Sequence, residues 1–486
     1  MHYPTRTPPA ERDCFEFGLK ISFLGSCGLR AARCGLVLSA LCAAVPTFAQ
    51  QKTGPGITGE DALTWHGITL YGVVDIGLQY DTHGAPFSAY RPAASGNIVQ
   101  KNSRESVIGL TPSNMGQSRI GLQGNEPLYD DWSAVIQVEA FFNPQSGEIA
   151  DSLMSLVVNN GRTAATQSTG LDGSSAGQAF QTAFVGLKST RFGSLTLGRQ
   201  LTLLSEGTIK YDPNYDATAF GLLGASRTYS GGGSSEDNRL DSVVKYTAGF
   251  GDFMHFGALY KFSGSNGSAN SAFQADIGGQ FRAASVDAYY SKVYDAISAS
   301  SLTAAQVAAL PALGYSAANS LAATVSDNTA FALMALYKME ALKFFAGYEH
   351  IEYANPTTPL SAGFSDIGGY TLAFVTNNAY DDDKVLQIFW AGIRYTVNPH
   401  LDLTVAYYRY QQNAYGTGKQ AGCTTSAFSV CSGSSEVFSL SADYRFNLHF
   451  DAYLGAMYSG VHDGVASGYT FYTTNINPTV GVRYKF

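Results

Sequence analysis

After residue 50 the side chains able to carry chemistry are seven histidines, two cysteines and a scatter of charges. His66, His83, His255, His350, His400, His449 and His462 are dispersed; none completes a His-x-x-x-His metal spacing and none accompanies a Gly-x-Ser-x-Gly elbow. With no nucleophile set beside a base, covalent catalysis has no constellation to work through, and neither a metal nor a cofactor is expected. Cys423 and Cys431 stand in a polar Gly/Ser/Thr stretch and read as one loop disulfide in an exported chain, with metal ligation and free thiols as the alternatives. The charges are what remains. Arg119, Arg239 and Lys245 fall in strand-like runs, while Glu206, Asp212 and Asp216 fall in residues 201–238 with Lys210, Arg227 and the run Ser230-Gly-Gly-Gly-Ser-Ser235. Opposed fixed charges act through their field and need only elements that bring them face to face.

Composition restricts those elements. Charged residues are 14% of the chain, aromatic residues 13%, and Gly contributes 52 of 486 positions, whereas a soluble domain carries roughly 25% charged residues. A mean hydropathy of −0.04, with no apolar run of about 18 residues beyond the N-terminus, excludes a polytopic helical membrane protein. It does not exclude a membrane barrel, whose strands carry apolar side chains at every second position. Residues 1–49 read as a cleavable signal peptide: Arg30 and Arg33 precede Gly35-Leu-Val-Leu-Ser-Ala-Leu-Cys-Ala-Ala44, and small residues lead to a cut after Ala49. Residues 50–486 are then one barrel with 25 basic and 35 acidic residues, a formal charge of −10, which speaks against nucleic acid as a partner.

A strand with lipid on one side and water on the other must alternate strictly. In residues 69–80, Leu70, Gly72, Val74, Ile76 and Leu78 share one face, and Tyr71, Asp75 and Gln79 share the other. At the far end Val480, Val482, Tyr484 and Phe486 point outward, Thr479, Arg483 and Lys485 inward. Fourteen further runs lie between, near 117–125, 132–142, 181–188, 194–200, 239–248, 253–262, 272–281, 285–293, 329–338, 342–353, 385–396, 401–411, 436–446 and 449–459. The expected fold is therefore all-β: a sixteen-stranded antiparallel transmembrane β-barrel with short turns on one side and long loops on the other. A soluble sandwich also alternates, yet gives no reason for sixteen strands or one-sided loop lengths. Within residues 294–328, Leu302–Leu310 is Ala/Leu-rich and predicts a short helix before Pro311. The inward parity set, including Asp75, Arg119, Gln137, Glu139, Lys188, Arg239, Asp241, Lys245, Arg394, Asp443, Arg445 and Arg483, leans basic and predicts a weak preference for anions.

Thr69-Leu-Tyr-Gly-Val-Val-Asp75, Phe184-Val-Gly-Leu187, Phe192-Gly-Ser-Leu-Thr-Leu-Gly-Arg-Gln200, Val244-Lys-Tyr246, Phe345-Ala-Gly-Tyr-Glu-His350, Ala442-Asp-Tyr-Arg-Phe446, Phe450–Ser459 and Pro478–Phe486 together resemble the general porins of Gram-negative bacteria, beta-proteobacterial type. The resemblance implies a homotrimeric barrel in outer-membrane lipid, periplasmic turns, extracellular loops, and passive admission of small hydrophilic solutes and ions. It implies that the third loop, residues 201–238, folds inward, so that Glu206, Asp212 and Asp216 face Arg119, Arg199, Arg239 and Lys245 across a constriction. Arg199 breaks the parity of Leu195 and Leu197 and enters that set only through the resemblance. Val482, Tyr484 and Phe486 would address the barrel-assembly machinery. A substrate-specific outer-membrane channel is the nearer alternative, and an outer-membrane barrel enzyme the distant one. The first strand, free of an aromatic girdle, is expected at the protomer contact, and Tyr407, Phe438, Tyr444, Phe450 and Tyr458 on the lipid side.

Overall fold

The computed structural model describes residues 63–85, 97–168, 177–226, 238–251, 253–263 and 271–486. The signal-peptide reading of residues 1–49, Arg227 and the Ser230–Ser235 run lie outside them. The wall consists of β1 (Ile68–Gly84), β2 in two lengths (Glu105–Pro112 and Arg119–Pro127), β3 (Trp132–Asn143), β4 (Thr182–Ser189), β5 (Gly193–Leu201), β6 (Arg239–Phe250), β7 (Met254–Lys261) and β8 (Ala272–Phe281). It continues through β9 (Ala284–Ser300), β10 (Ser320–Met339), β11 (Leu342–Ala354), β12 (Lys384–Asn398), β13 (Leu401–Gln412), β14 (Gly433–Arg445), β15 (Phe450–Asp463) and β16 (Thr474–Lys485). Neighbours run antiparallel, and β16 returns to β1 with Val73 opposite Lys485 and Gln79 opposite Thr479, closing the ring. Closure satisfies every strand edge where lipid offers no hydrogen bonds. Among the described residues four α-helices stand outside the wall in sequence: α1 (Ser152–Val157), α2 (Leu203–Tyr211), α3 (Leu222–Ala225) and α4 (Ala304–Leu313).

Alternation sets the two faces. Leu78 and Tyr80 are exposed on the outside of β1, while Asp75, Gln79 and Asp81, at alternate positions of the other parity, are fully buried inside. Outward residues of β2–β5 such as Ile108, Leu110, Leu122, Ile136, Val185 and Leu197 are aliphatic and exposed. Across β13–β15 exposed aliphatic residues such as Val405, Leu440 and Leu454 are joined by an aromatic row, Tyr407, Phe438 and Tyr458, with ring centroids 4.6 and 6.3 Å apart.

Three elements differ from the sequence expectation. The second strand begins at Glu105, well before 117, and is broken by residues 113–118, because both lengths pair with β1 around a bulge centred on Asp75. The expected loop 294–328 shrinks to 301–319: β9 and β10 continue as a long hairpin whose Ser/Ala-rich ends rise beyond the lipid, where alternation is no longer enforced. Helix α4 passes through Pro311 to Gly314, its start fixed by Thr303 and Gln306 in a reciprocal cap; so close to the C-terminus the missing proline N–H removes one bond without breaking the helix.

Candidate functional site

Helix α2 begins where β5 ends, and its first turn is set by Thr202, whose side chain accepts from the Ser205 N–H at 3.1 Å. Its apolar side chains explain why it turns into the barrel. Leu203, Leu204 and Tyr211 are buried against Leu259, Tyr289, Trp390 and Tyr408 on the inner wall, and Trp390 Nε1 donates to the Tyr211 carbonyl at 3.1 Å. The helix lies on β7–β11, and the charged cluster around Glu139 stands outside that patch, on β1–β4 and β6.

Beyond α2 the chain forms a tip around one carboxylate. Asp212 accepts from the backbone N–H of Asn214 (2.9 Å), Asp216 (2.8 Å) and Leu222 (3.2 Å), and from the Tyr408 hydroxyl at 2.7 Å. Tyr215 and Asp216 sit in left-handed backbone at φ 56° and 59°, a conformation costing about 1 kcal/mol or more per residue that the Asp212 bonds hold in place. The tip then reaches the break in β2: Ala219 N–H donates to the Asn114 carbonyl at 2.8 Å, and Phe220 packs with Met115 and Tyr453. Asp75 holds that landing. Its carboxylate accepts from the N–H groups of Asn114, Met115 and Gly116 at 3.2, 2.8 and 2.9 Å, and from the Tyr453 hydroxyl.

On the wall outside the α2 patch Glu139 gathers groups from four other strands. Arg119 Nε lies 3.1 Å and Arg239 Nη2 3.4 Å from its oxygens, and Tyr71 Oη donates to it at 3.0 Å; Thr182 Oγ1 completes the set at 3.5 Å. The Arg239 guanidinium also lies over the Phe141 ring, 4.6 Å from its centroid. Lys245 Nζ bridges to Glu206 of α2 at 2.7 Å and donates to the Leu201 carbonyl at 3.0 Å, tying wall to loop. Arg199 is held by Asp241 (3.8 Å) and Gln181 (3.3 Å), at a point where the pairing of β5 with β6 shifts register between Gly198 and Gln200.

Of the seven expected constriction residues, Glu206 and Lys245 meet. Asp212 and Asp216 do not reach the arginines: they bend back to their own backbone, because the N–H groups of a tight turn lie nearer than a guanidinium across the lumen. Burial pushes Asp212 up to about 6, and burial followed by the neighbouring Asp212 charge pushes Asp216 up to about 8, leaving Asp216 largely neutral near pH 7.

Glu139 was legible by parity but not as the shared partner of two arginines. Asp402 and Asp451 were missed, although each alternates with outward apolar neighbours. Asp451 holds Arg483 at 3.0 Å and Lys485 at 2.6 Å, and Asp402 holds Arg445 at 2.8 Å, so much of the basic lean near the turn end is neutralised locally. Behind α2, Lys210 meets Asp287 at 2.7 Å, with His255 3.4 Å from the same carboxylate.

The other singled-out residues lie away from the lumen narrowing. Cys423 and Cys431 are joined by a disulfide with Cα atoms 4.8 Å apart. Phe486 N–H and carbonyl pair with Gly72, whose missing side chain leaves room for the Phe486 ring. Val482 stands opposite Ile76, and Tyr484 stacks on His449.

A family profile described as Gram-negative porin matches residues 36–464 of this chain. An outer membrane porin protein of Bordetella pertussis is 29% identical over 205 residues, 42% of this chain and 44% of that protein. Outer membrane porin protein 32 of Delftia acidovorans is 27% identical over 214 residues, 43% of this chain and 48% of its own. The matched stretch thus spans about half the length of either curated relative. Among solved structures, the anion-selective porin from Comamonas acidovorans aligns over 86% of this chain and 99% of its own with a TM-score of 0.55 at 15% identity, a likeness of fold.

Proposed function

The chain belongs to the Gram-negative porin family, barrels of the outer membrane, and from that premise we propose that it is a water-filled channel for passive diffusion of small hydrophilic solutes and ions. The observation that carries this reading is the position, inside the ring, of α2 on β7–β11 and of its tip on β13, β15 and the break in β2, beside the charged wall around Glu139. A barrel of sixteen strands is wide enough to keep an aqueous passage beside such a segment, and charges lining it are solvated by that water.

The same geometry supports a weak anion preference. Arg119, Arg199, Arg239 and Lys245 are faced by Glu139, Glu206 and Asp241, an excess of one cation where low-dielectric walls concentrate the field. The purified protein in a planar bilayer under a tenfold KCl gradient tests both statements. An ohmic channel with a reversal potential of the chloride sign is expected. Absence of conductance from correctly folded protein overturns the channel, and a potential of the potassium sign overturns the preference.

Assembly and export follow the same reading. The aliphatic outer face of β1–β5 fits contact with two further copies in a homotrimer, while the aromatic row on β13–β15 fits lipid. Cross-links that form through β1–β5 and not through β13–β15 support that arrangement. Residues 1–49 would be removed as a signal peptide, which N-terminal sequencing of the membrane-inserted protein checks. The last strand, with Val482, Tyr484 and Phe486, would be the contact for the barrel-assembly machinery.

A further inference from the structure

Residues 143–168, in the loop between β3 and β4, leave the wall on one side of the barrel and are fastened on the other. In a ring of sixteen strands β3 and β4 stand opposite β11 and β12, so a segment from the first pair that docks on loops near the second crosses the mouth. Helix α1 buries Leu153 and Val157 against Leu321 and Val325 of the long β9–β10 hairpin and Leu360 and Leu372 of the β11–β12 loop. In that loop, Tyr370–Thr376 runs parallel to the start of β10, Ser320 opposite Thr371, and gives the docked helix a firm floor.

Asn160 is the centre of the polar fastening. Its Nδ2 donates to the carbonyls of Ala317 and Ser320 at 2.9 and 2.7 Å, and its Oδ1 accepts from the Leu302 N–H at 2.7 Å. The Gly161 N–H donates to the Leu302 carbonyl at 2.8 Å, Ser301 Oγ to the Leu156 carbonyl at 2.6 Å, and Tyr370 Oη to Asp151 at 2.6 Å. A surface loop free to swing has its backbone groups in water. Here the groups that face the opposite loops are paired, and the apolar side chains beneath them are dry.

We infer that this segment is a fixed cap across the extracellular mouth, so that the openings beside it, and not the inner narrowing alone, set the largest solute admitted. The inference rests on the channel reading above. Its energetic basis is the combination of a buried apolar contact with the amide bonds of Asn160 and the single carboxylate bond between Tyr370 and Asp151.

The test replaces residues 152–168 by a short Gly/Ser linker in the full-length protein and compares it with the unaltered chain by single-channel conductance and by liposome swelling with a pentose, a disaccharide and a tetrasaccharide. The cap predicts a severalfold rise in the tetrasaccharide-to-pentose swelling ratio, a higher conductance and an unchanged reversal potential. An unchanged ratio in a conducting variant overturns the cap and leaves the channel standing, whereas folded, unaltered protein that conducts nothing overturns the channel and the cap with it. Should the linker variant fail to assemble, Asn160→Ala combined with Tyr370→Phe leaves the wall untouched and has to move the same ratio in the same direction; no movement there also overturns the inference.

Discussion

Residues 201–226 go into the barrel and residues 143–168 dock on the loops above it, and the two excursions are held by different chemistry. The inner one is anchored by buried aromatic and aliphatic side chains and by carboxylates, Asp212 and Asp75, that each gather several donors in a dry environment. The outer one is anchored mainly by neutral amide and hydroxyl bonds around Asn160, with one carboxylate, Asp151, accepting from Tyr370. Inside the lumen a carboxylate can be surrounded on all sides and its bonds are strong; at the water surface a charge would be screened and weak, and an amide loses little. The inner segment is therefore the one whose fastening responds to protons and to removal of a single charge.

The largest separation of the two is expected from Asp75→Ala. It leaves three backbone N–H groups and the Tyr453 hydroxyl without their acceptor, which costs about 3–5 kcal/mol for a buried, multiply bonded carboxylate. The urea midpoint of the purified barrel should fall and channel current should become noisy as the tip loses its landing, while protease accessibility of residues 152–168 stays as it was. Equal loosening of both excursions would break the comparison.

A third fastening, covalent this time, sharpens it. The Cys423–Cys431 bond closes a short loop and should contribute about 2–3 kcal/mol by the chain-entropy relation. Intact mass under alkylating conditions should show no free thiol until reductant is added, and reduction should loosen residues 423–431 alone. Two alkylated cysteines in unreduced protein would refute the bond.

Smaller effects are expected at the charged wall. Arg119→Gln with Arg239→Gln should move the reversal potential toward cations and Glu139→Gln toward anions, because each changes the sign balance at the shared carboxylate without touching α2. Opposite variants that shift the potential the same way would remove Glu139 from the narrowing.

The smallest effect is that of pH. Asp216 is raised from the usual 3.8 to about 8, so the folded state holds this proton more tightly than the unfolded chain. The stability it contributes is complete below about pH 4 and is lost as pH rises through about 8. Between pH 6 and 9 the inner tip should loosen and gain one negative charge, weakening the anion preference, whereas the solute-size limit set above the barrel should not move. A reversal potential flat across that range in the unaltered protein, and equal to that of Asp216→Asn, would sink this assignment.

The wall was legible in the sequence because lipid and water impose opposite demands on adjacent residues, and Leu78, Gln79 and Tyr80 obey them in turn. Where that demand lapses the reading fails. Residues 113–118 form a polar break that no period describes, and its cause, the Asp75 carboxylate, lies on another strand. The ends of β9 and β10 rise out of the lipid and carry Ser and Ala on both faces. The family resemblance set Glu206, Asp212 and Asp216 against the wall bases; Glu206 meets Lys245, whereas Asp212 is taken up by its own turn, whose closer N–H donors a list of charges does not reveal. Asn160 carries no pattern at all; its role exists only once two loops distant in sequence have met.

The seam between β1 and β16 also fixes an order of events. It joins the first and last of the sixteen strands, the longest-range pairing in the ring and so the slowest to find. The inner tip is bonded to Asn114 of β2 and packed on Tyr453 of β15, one strand in from the seam on either side. A ring zipped shut first would have to be filled afterwards through its own mouth. Laying the segment against the wall before the ring closes would avoid that, and a barrel still lacking its last strand would carry two bare edges.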